Sequence, residues 1–113
     1  MTSAEQLVNI LLAKKLKIAA AESCTGGLVA KKLTDVAGCS SVVAGGVVTY
    51  QTREKTLLLG VDPQLIERCD VVSREVALAM AEGARQRLEA DVAIATTGFA
   101  GPGGGTERDP VGT

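Results

Sequence analysis

Histidine is absent from the 113 residues, and that absence removes several kinds of chemistry at once. Ser-His-Asp and Cys-His catalysis are excluded, and so are histidine-ligated metal sites. Any general base must be Lys, Asp, Glu, Tyr or water. Tryptophan is also absent, with one Tyr and one Phe, so the core must be aliphatic. Scarce aromatics and a net charge of −1 argue against direct nucleic-acid binding, which needs a basic face or stacking platforms. The three cysteines, Cys24, Cys39 and Cys69, are odd in number and form no C-x-x-C pair. They indicate neither a disulfide framework nor a zinc cluster and read as small buried thiols. No apolar run is long enough to span a membrane, and no basic-then-apolar leader opens the chain. A cytoplasmic protein is the expectation.

What remains is an ordinary globular composition, 46% hydrophobic and 22% charged, in a length that suits one domain. Ser3 followed by Gln6 fits a capping box, and Leu7, Ile10, Leu11 and Leu12 give an apolar face, so residues 4–16 read as a helix. Residues 17–22 read as a strand and 26–36 as a second helix that stops at Gly38. Residues 42–50 are extended, and the Gly45-Gly46 pair suggests a bulge or a close backbone approach. Thr52 is placed to cap a short helix closing at Gly60. Asp62-Pro63 starts another helix, and Ser73 caps a longer one reaching about Glu89. Val76, Met80, Ala84 and Leu88 line one face of that helix. Residues 91–97 form a third strand that runs into a glycine-rich loop.

Helices alternating with short aliphatic strands predict a layered α/β/α fold with a mostly parallel sheet. Ligands in such sheets bind beyond the carboxyl ends of the strands. Ser23, Tyr50 and Thr97-Gly98 all fall at strand ends, so three segments are expected to meet in one crevice.

The segment Glu22-Ser23-Cys24-Thr25-Gly26-Gly27 turns a buried strand sharply into a helix. Free backbone amides at such a turn suit an anion, and the glycines admit a ligand close to the chain. The competing reading is a plain connection capped by Ser23 or Thr25. Lys55 falls in the first turn of its helix, where the dipole and partial burial both disfavour its charge, so it can serve as a base. Tyr50 could relay a proton. The competing reading is a solvated lysine. Ser23, Thr25, Ser40 and Ser41 are the candidate nucleophiles, and a Ser-Lys couple is the pairing this composition permits. Residues 98–105 hold five glycines and suit a phosphate nest, a lid or a surface loop.

Taken together, residues 21–27, Gly46-Val47-Val48-Thr49-Tyr50 with Lys55, and Gly98-Phe99-Ala100-Gly101-Pro102 through Pro110-Val111-Gly112-Thr113 resemble the CinA C-terminal domain family. That family includes stand-alone nicotinamide-nucleotide amidases. The resemblance covers nearly the whole chain, residues 1–113, as one domain. It implies hydrolysis of the carboxamide of nicotinamide mononucleotide to nicotinate mononucleotide and ammonia, without metal or other cofactor, by a Ser, Tyr and Lys set. The lysine falls on Lys55 and the tyrosine on Tyr50. The serine falls first on Ser40, with Ser23 as the second candidate because it lies in the stronger motif. Thr25, Gly26, Gly27, Thr97, Gly98 and Gly101 are then expected to bind the substrate.

Family members continue past Pro-Val-Gly-Thr with another strand and a terminal helix. This chain is therefore expected to lack that strand and helix and to self-associate. The expected partner is a pyridine nucleotide, with no membrane and no direct nucleic acid. The competing functional class is a non-catalytic nucleotide-binding module tied to competence or DNA damage.

Overall fold

The computed structural model describes all residues, Met1 to Thr113. Its elements run α1 (Ser3–Lys14), β1 (Ile18–Glu22), α2 (Leu28–Thr34), a 3₁₀ turn (Cys39–Ser41), β2 (Val43–Val48), α3 (Thr52–Leu59), α4 (Pro63–Cys69), α5 (Arg74–Arg87) and β3 (Val92–Ala95). The sheet has three strands in the order β2-β1-β3, and both pairings are parallel. Every residue of the central strand β1 is buried. That explains its unbroken run of small apolar residues, which lets helices approach both faces closely.

Helices cover the two faces. Ala19 and Ala21 of β1 pack with Leu59, Val61, Val76, Met80 and Ala84 from α3 to α5. On the other face Val8 and Leu11 of α1 pack with Ile18, Leu33 and Val42. The layered α/β/α expectation therefore holds, with the α5 face at Val76, Met80 and Ala84 as the spacing indicated. Two glycines set the layer distances. A Cβ on Gly83 would lie 2.0 Å from the Leu59 carbonyl oxygen, so α5 can lie against α3 only with glycine there. A Cβ on Gly46 would lie 3.2 Å from that of Ala30, which is the close approach expected of the Gly45-Gly46 pair. The bulge is present too, as a register slip opposite Ile18 and Ala19.

The caps correct two expectations by one residue each. The capping box uses Thr2 and Glu5, and α1 starts at Ser3. Gln51, without a side-chain cap bond, precedes α3, so Thr52 is its first residue. Asp62 and Ser73 cap α4 and α5 with their side chains as expected. The cysteines are free and only partly buried. No helix is long and apolar enough to cross a membrane.

Candidate active site

A parallel sheet brings the carboxyl ends of its strands to one edge, and the chain leaves β1 at Ser23, β2 at Thr49 and β3 at Thr96. Residues 23, 50, 55, 97, 98 and 101 line one cavity of about 210 Å³ there. At its floor the Lys55 Nζ stands 3.0 Å from the Ser23 Oγ and 2.7 Å from the Thr49 carbonyl oxygen. Lys55 sits four positions into α3, and a helical side chain leans toward the N-terminus of its helix. That lean carries the amine back under the end of β1.

Lys55 is 1% exposed, the largest completely buried side chain in the protein. No carboxylate lies within ion-pairing distance of it. Burial therefore pushes its pKa below the ordinary 10.5, with Cys24 opposing the shift electrostatically. A charged ammonium has three N–H donors, but only two acceptors surround this one. The Lys55 amine donates to both, the Thr49 carbonyl oxygen and the Ser23 Oγ; once neutral, it has a lone pair with which to accept the Ser23 proton instead. The amides of Cys24 and Gly98, both at the cavity wall, find no acceptor in the protein. The Thr49 hydroxyl is buried without a partner.

Ser40 does not join this group. It lies in the 3₁₀ turn before β2, beside Cys39, which packs on the α1–α2 cluster. The six residues of β2, about 20 Å of strand, separate that turn from Tyr50. Of the two serines, only Ser23 touches the lysine. Tyr50 lines the cavity but is 70% exposed, and its hydroxyl bonds neither Lys55 nor Ser23. It stands at the rim of the cavity.

The turn at residues 22–27 also departs from expectation. The anion at the start of α2 belongs to the protein itself. Glu22 Oε1 accepts from the Thr25 hydroxyl at 2.6 Å and the Val29 amide at 2.8 Å, and Oε2 accepts from the Ala30 amide at 2.9 Å. Burial raises the Glu22 pKa, but these bonds together outweigh it and hold the carboxyl below 4.5. The Val29 and Ala30 amides are therefore not open to an incoming phosphate. Thr25 donates its one proton to Glu22 and so accepts from Thr96 Oγ1, 2.7 Å away. Gly26 and Gly27 line none of the cavities and serve the left-handed turn, with φ of 63° and 112°. Thr97 donates to the Val71 carbonyl at 3.0 Å, which holds the floor of the loop after β3. A Cβ on Gly98 would lie 2.6 Å from the Thr113 carbonyl oxygen and 3.3 Å from the Cys24 sulfur, so glycine is needed where the C-terminal segment folds back.

Sequence reasoning passed over Glu22, Thr96 and the amide of Cys24. A carboxylate inside a fully apolar strand was the available signal for Glu22, since a buried charge needs partners. No group of three or more Cys, Asp or Glu side chains is arranged to hold a metal ion.

Comparison with known proteins agrees with this architecture. The family model described as the CinA C-terminal domain matches residues 1–113. A CinA-like protein of Mycobacterium avium is 62% identical over 109 residues, covering 96% of this chain and 25% of its own length. One from Chlorobaculum tepidum is 53% identical over all 113 residues, 27% of its length. This chain thus spans about a quarter of those relatives. The crystal structure of competence/damage inducible protein CihA from Agrobacterium tumefaciens superposes with a TM-score of 0.93 at 46% identity, covering 96% of this chain and 66% of that one. A competence-damaged protein (CinA) superfamily protein from Escherichia coli gives 0.92 at 40% identity, covering 96% and 63%. With this fold, these relatives and a match over its full length, the chain belongs to the CinA C-terminal domain family.

Proposed function

We propose that the chain is a serine amidohydrolase whose nucleophile is Ser23 and whose base is Lys55, acting on the carboxamide of nicotinamide mononucleotide. The observation that carries the reading is the 3.0 Å contact between the Ser23 hydroxyl and a completely buried, unpaired Lys55 amine. A solvated structural lysine has no reason to give up water without a carboxylate partner. A general base does, because it must be neutral to accept a proton.

The chemistry follows from the geometry. Lys55 Nζ takes the Ser23 proton as Oγ bonds to the carboxamide carbon, and the carbonyl oxygen gains the negative charge. The amides of Cys24 and Gly98 at the cavity wall are the donors assigned to that charge. The resulting Lys55 ammonium returns its proton to the amide nitrogen, the C–N bond breaks, and ammonia leaves. Water then attacks the acyl-Ser23 ester with Lys55 again as base, releasing the carboxylate and restoring the serine. Tyr50 at the rim offers a flat surface for the pyridine ring, which suits a cavity of about 210 Å³ better than the whole mononucleotide. None of these steps needs a metal.

Ammonia release from nicotinamide mononucleotide by the purified chain, with a chelator present, tests the reading. Turnover that disappears in Ser23→Ala supports it. Binding of the mononucleotide without ammonia release favours a nucleotide-binding module instead.

A further inference from the structure

Among the buried side-chain polar atoms of the protein, the Thr49 hydroxyl is the one without a hydrogen-bond partner. The backbone of Thr49 is fully committed at the catalytic floor. Its amide donates to the Glu22 carbonyl at 2.8 Å, and its own carbonyl accepts from Lys55 Nζ at 2.7 Å. Thr49 therefore ties the strand end that carries Ser23 to the base. The alternation of β2, continued by one residue, puts the Thr49 side chain on the side of Val47, which packs against the cluster containing Leu59 of α3. That is the side from which Lys55 enters. At 0% exposure, a hydroxyl with no partner costs stability that a valine of nearly the same shape would not. Packing alone gives no reason for it.

We infer that the Thr49 hydroxyl is the third acceptor for Lys55 whenever that amine carries its charge, including the ammonium formed in acyl transfer, which makes Thr49 a positioning residue for the base. The catalytic half of the inference rests on the amidase reading. The Ser23 Oγ and the Thr49 carbonyl oxygen satisfy two N–H groups, which is all that a neutral amine has. A proton gained from Ser23 adds a third N–H, and the same step turns Oγ into an ester-type oxygen that accepts poorly. One N–H then stays on the Thr49 carbonyl and one turns to the departing nitrogen, so the last needs a new partner. The other hydroxyls of the cavity do not supply it. Thr97 is bonded to the Val71 carbonyl, and Tyr50 and Thr52 are exposed. Thr49 Oγ1 belongs to the residue whose carbonyl the amine already holds, and rotation about χ1 between staggered positions is the motion the contact requires. The titratable groups that face Lys55 in the cavity are Cys24 after β1 and Tyr50 after β2; residues 71–72 and 97–103 bring none.

Thr49→Val removes the hydroxyl and keeps the branched shape, and Thr49→Ser returns it. Ammonia release from nicotinamide mononucleotide is followed against pH for the wild type and both variants, with Thr49→Ala in place of a valine variant that does not fold. Loss of the acceptor disfavours the ammonium. In Thr49→Val the rise of kcat/KM should therefore move about one unit to lower pH, and the plateau of kcat should fall about tenfold. Thr49→Ser should recover both. A merely structural hydroxyl moves neither. The Lys55 titration is read separately, without turnover, from the Cε carbon shift by NMR, and should move the same way. If the wild type releases no ammonia while the Lys55 titration falls in Thr49→Val and returns in Thr49→Ser, the amidase reading fails and the Thr49 acceptor stands. An unshifted Lys55 titration in a folded Thr49→Val or Thr49→Ala would overturn the inference, and so would a Thr49→Ser that matches Thr49→Val.

Discussion

The Lys55 amine reaches the Ser23 hydroxyl across 32 positions of sequence at 3.0 Å, and no carboxylate shares the cavity floor to hold its charge. Every chemical expectation for this protein depends on the protonation state of that amine. Burial lowers its pKa from 10.5, so the neutral, base-competent fraction is larger at any pH below 10.5 than for an exposed lysine. The rate constant kcat/KM should rise with pH and level off below 10.5, and Lys55→Met should fall at least about a hundredfold. A profile still climbing at pH 10.5, or an active Lys55→Met, would contradict this. The linkage has a definite sign. Between the lowered folded pKa and 10.5 the unfolded chain binds more protons, so stability rises with pH across that window. Urea unfolding of wild type against Lys55→Met should show the wild type gaining relative stability as pH climbs through it.

Glu22 gives the opposite dependence. Its folded pKa is depressed, so its contribution is present above pH 4.5 and is lost as pH falls through the folded value. Glu22→Gln removes the charge from bonds to the Val29 and Ala30 amides and should destabilise the fold by about 1.5–3 kcal/mol, with a smaller loss at acid pH. Because Glu22 anchors the turn that carries Ser23, the variant should also lose kcat. Unchanged stability at pH 7 would mean that the carboxylate does not cap α2.

Tyr50 is expected to act through its ring. Its hydroxyl is at the exposed rim, so Tyr50→Phe should keep most of the turnover, while Tyr50→Ala should raise KM about three- to tenfold through lost stacking. Steady-state kinetics separate the two. A fall in kcat for Tyr50→Phe comparable to that of Lys55→Met would restore the tyrosine to the proton path.

Much of the fold was legible because its signals are local. Asp62-Pro63 and Ser73 announce their helices through side chains that bond amides two or three residues on. The four-residue spacing of Val76, Met80 and Ala84 likewise identifies the face that meets β1. The site was legible only as a set of candidates. A lysine four residues into a helix that begins Thr-Arg-Glu-Lys looks the same whether solvated or buried, and its burial depends on the chain segments leaving β1 at Ser23 and β2 at Thr49, which meet its amine. For the same reason Ser40 and Ser23 could not be separated: both lie in turns, and only the parallel register puts one at the carboxyl end of the sheet and the other at the amino end. The glycines at 26 and 27 misled in a specific way. They marked the exposed amides at the start of α2, but the partner for those amides was the preceding strand's own glutamate.

The most direct test compares ammonia release from nicotinamide mononucleotide by Ser23→Ala and Ser40→Ala, with folding of both checked by circular dichroism. The account expects Ser23→Ala to lose at least about a thousandfold in kcat and Ser40→Ala to retain wild-type turnover. An active Ser23→Ala beside an inactive, folded Ser40→Ala would contradict it.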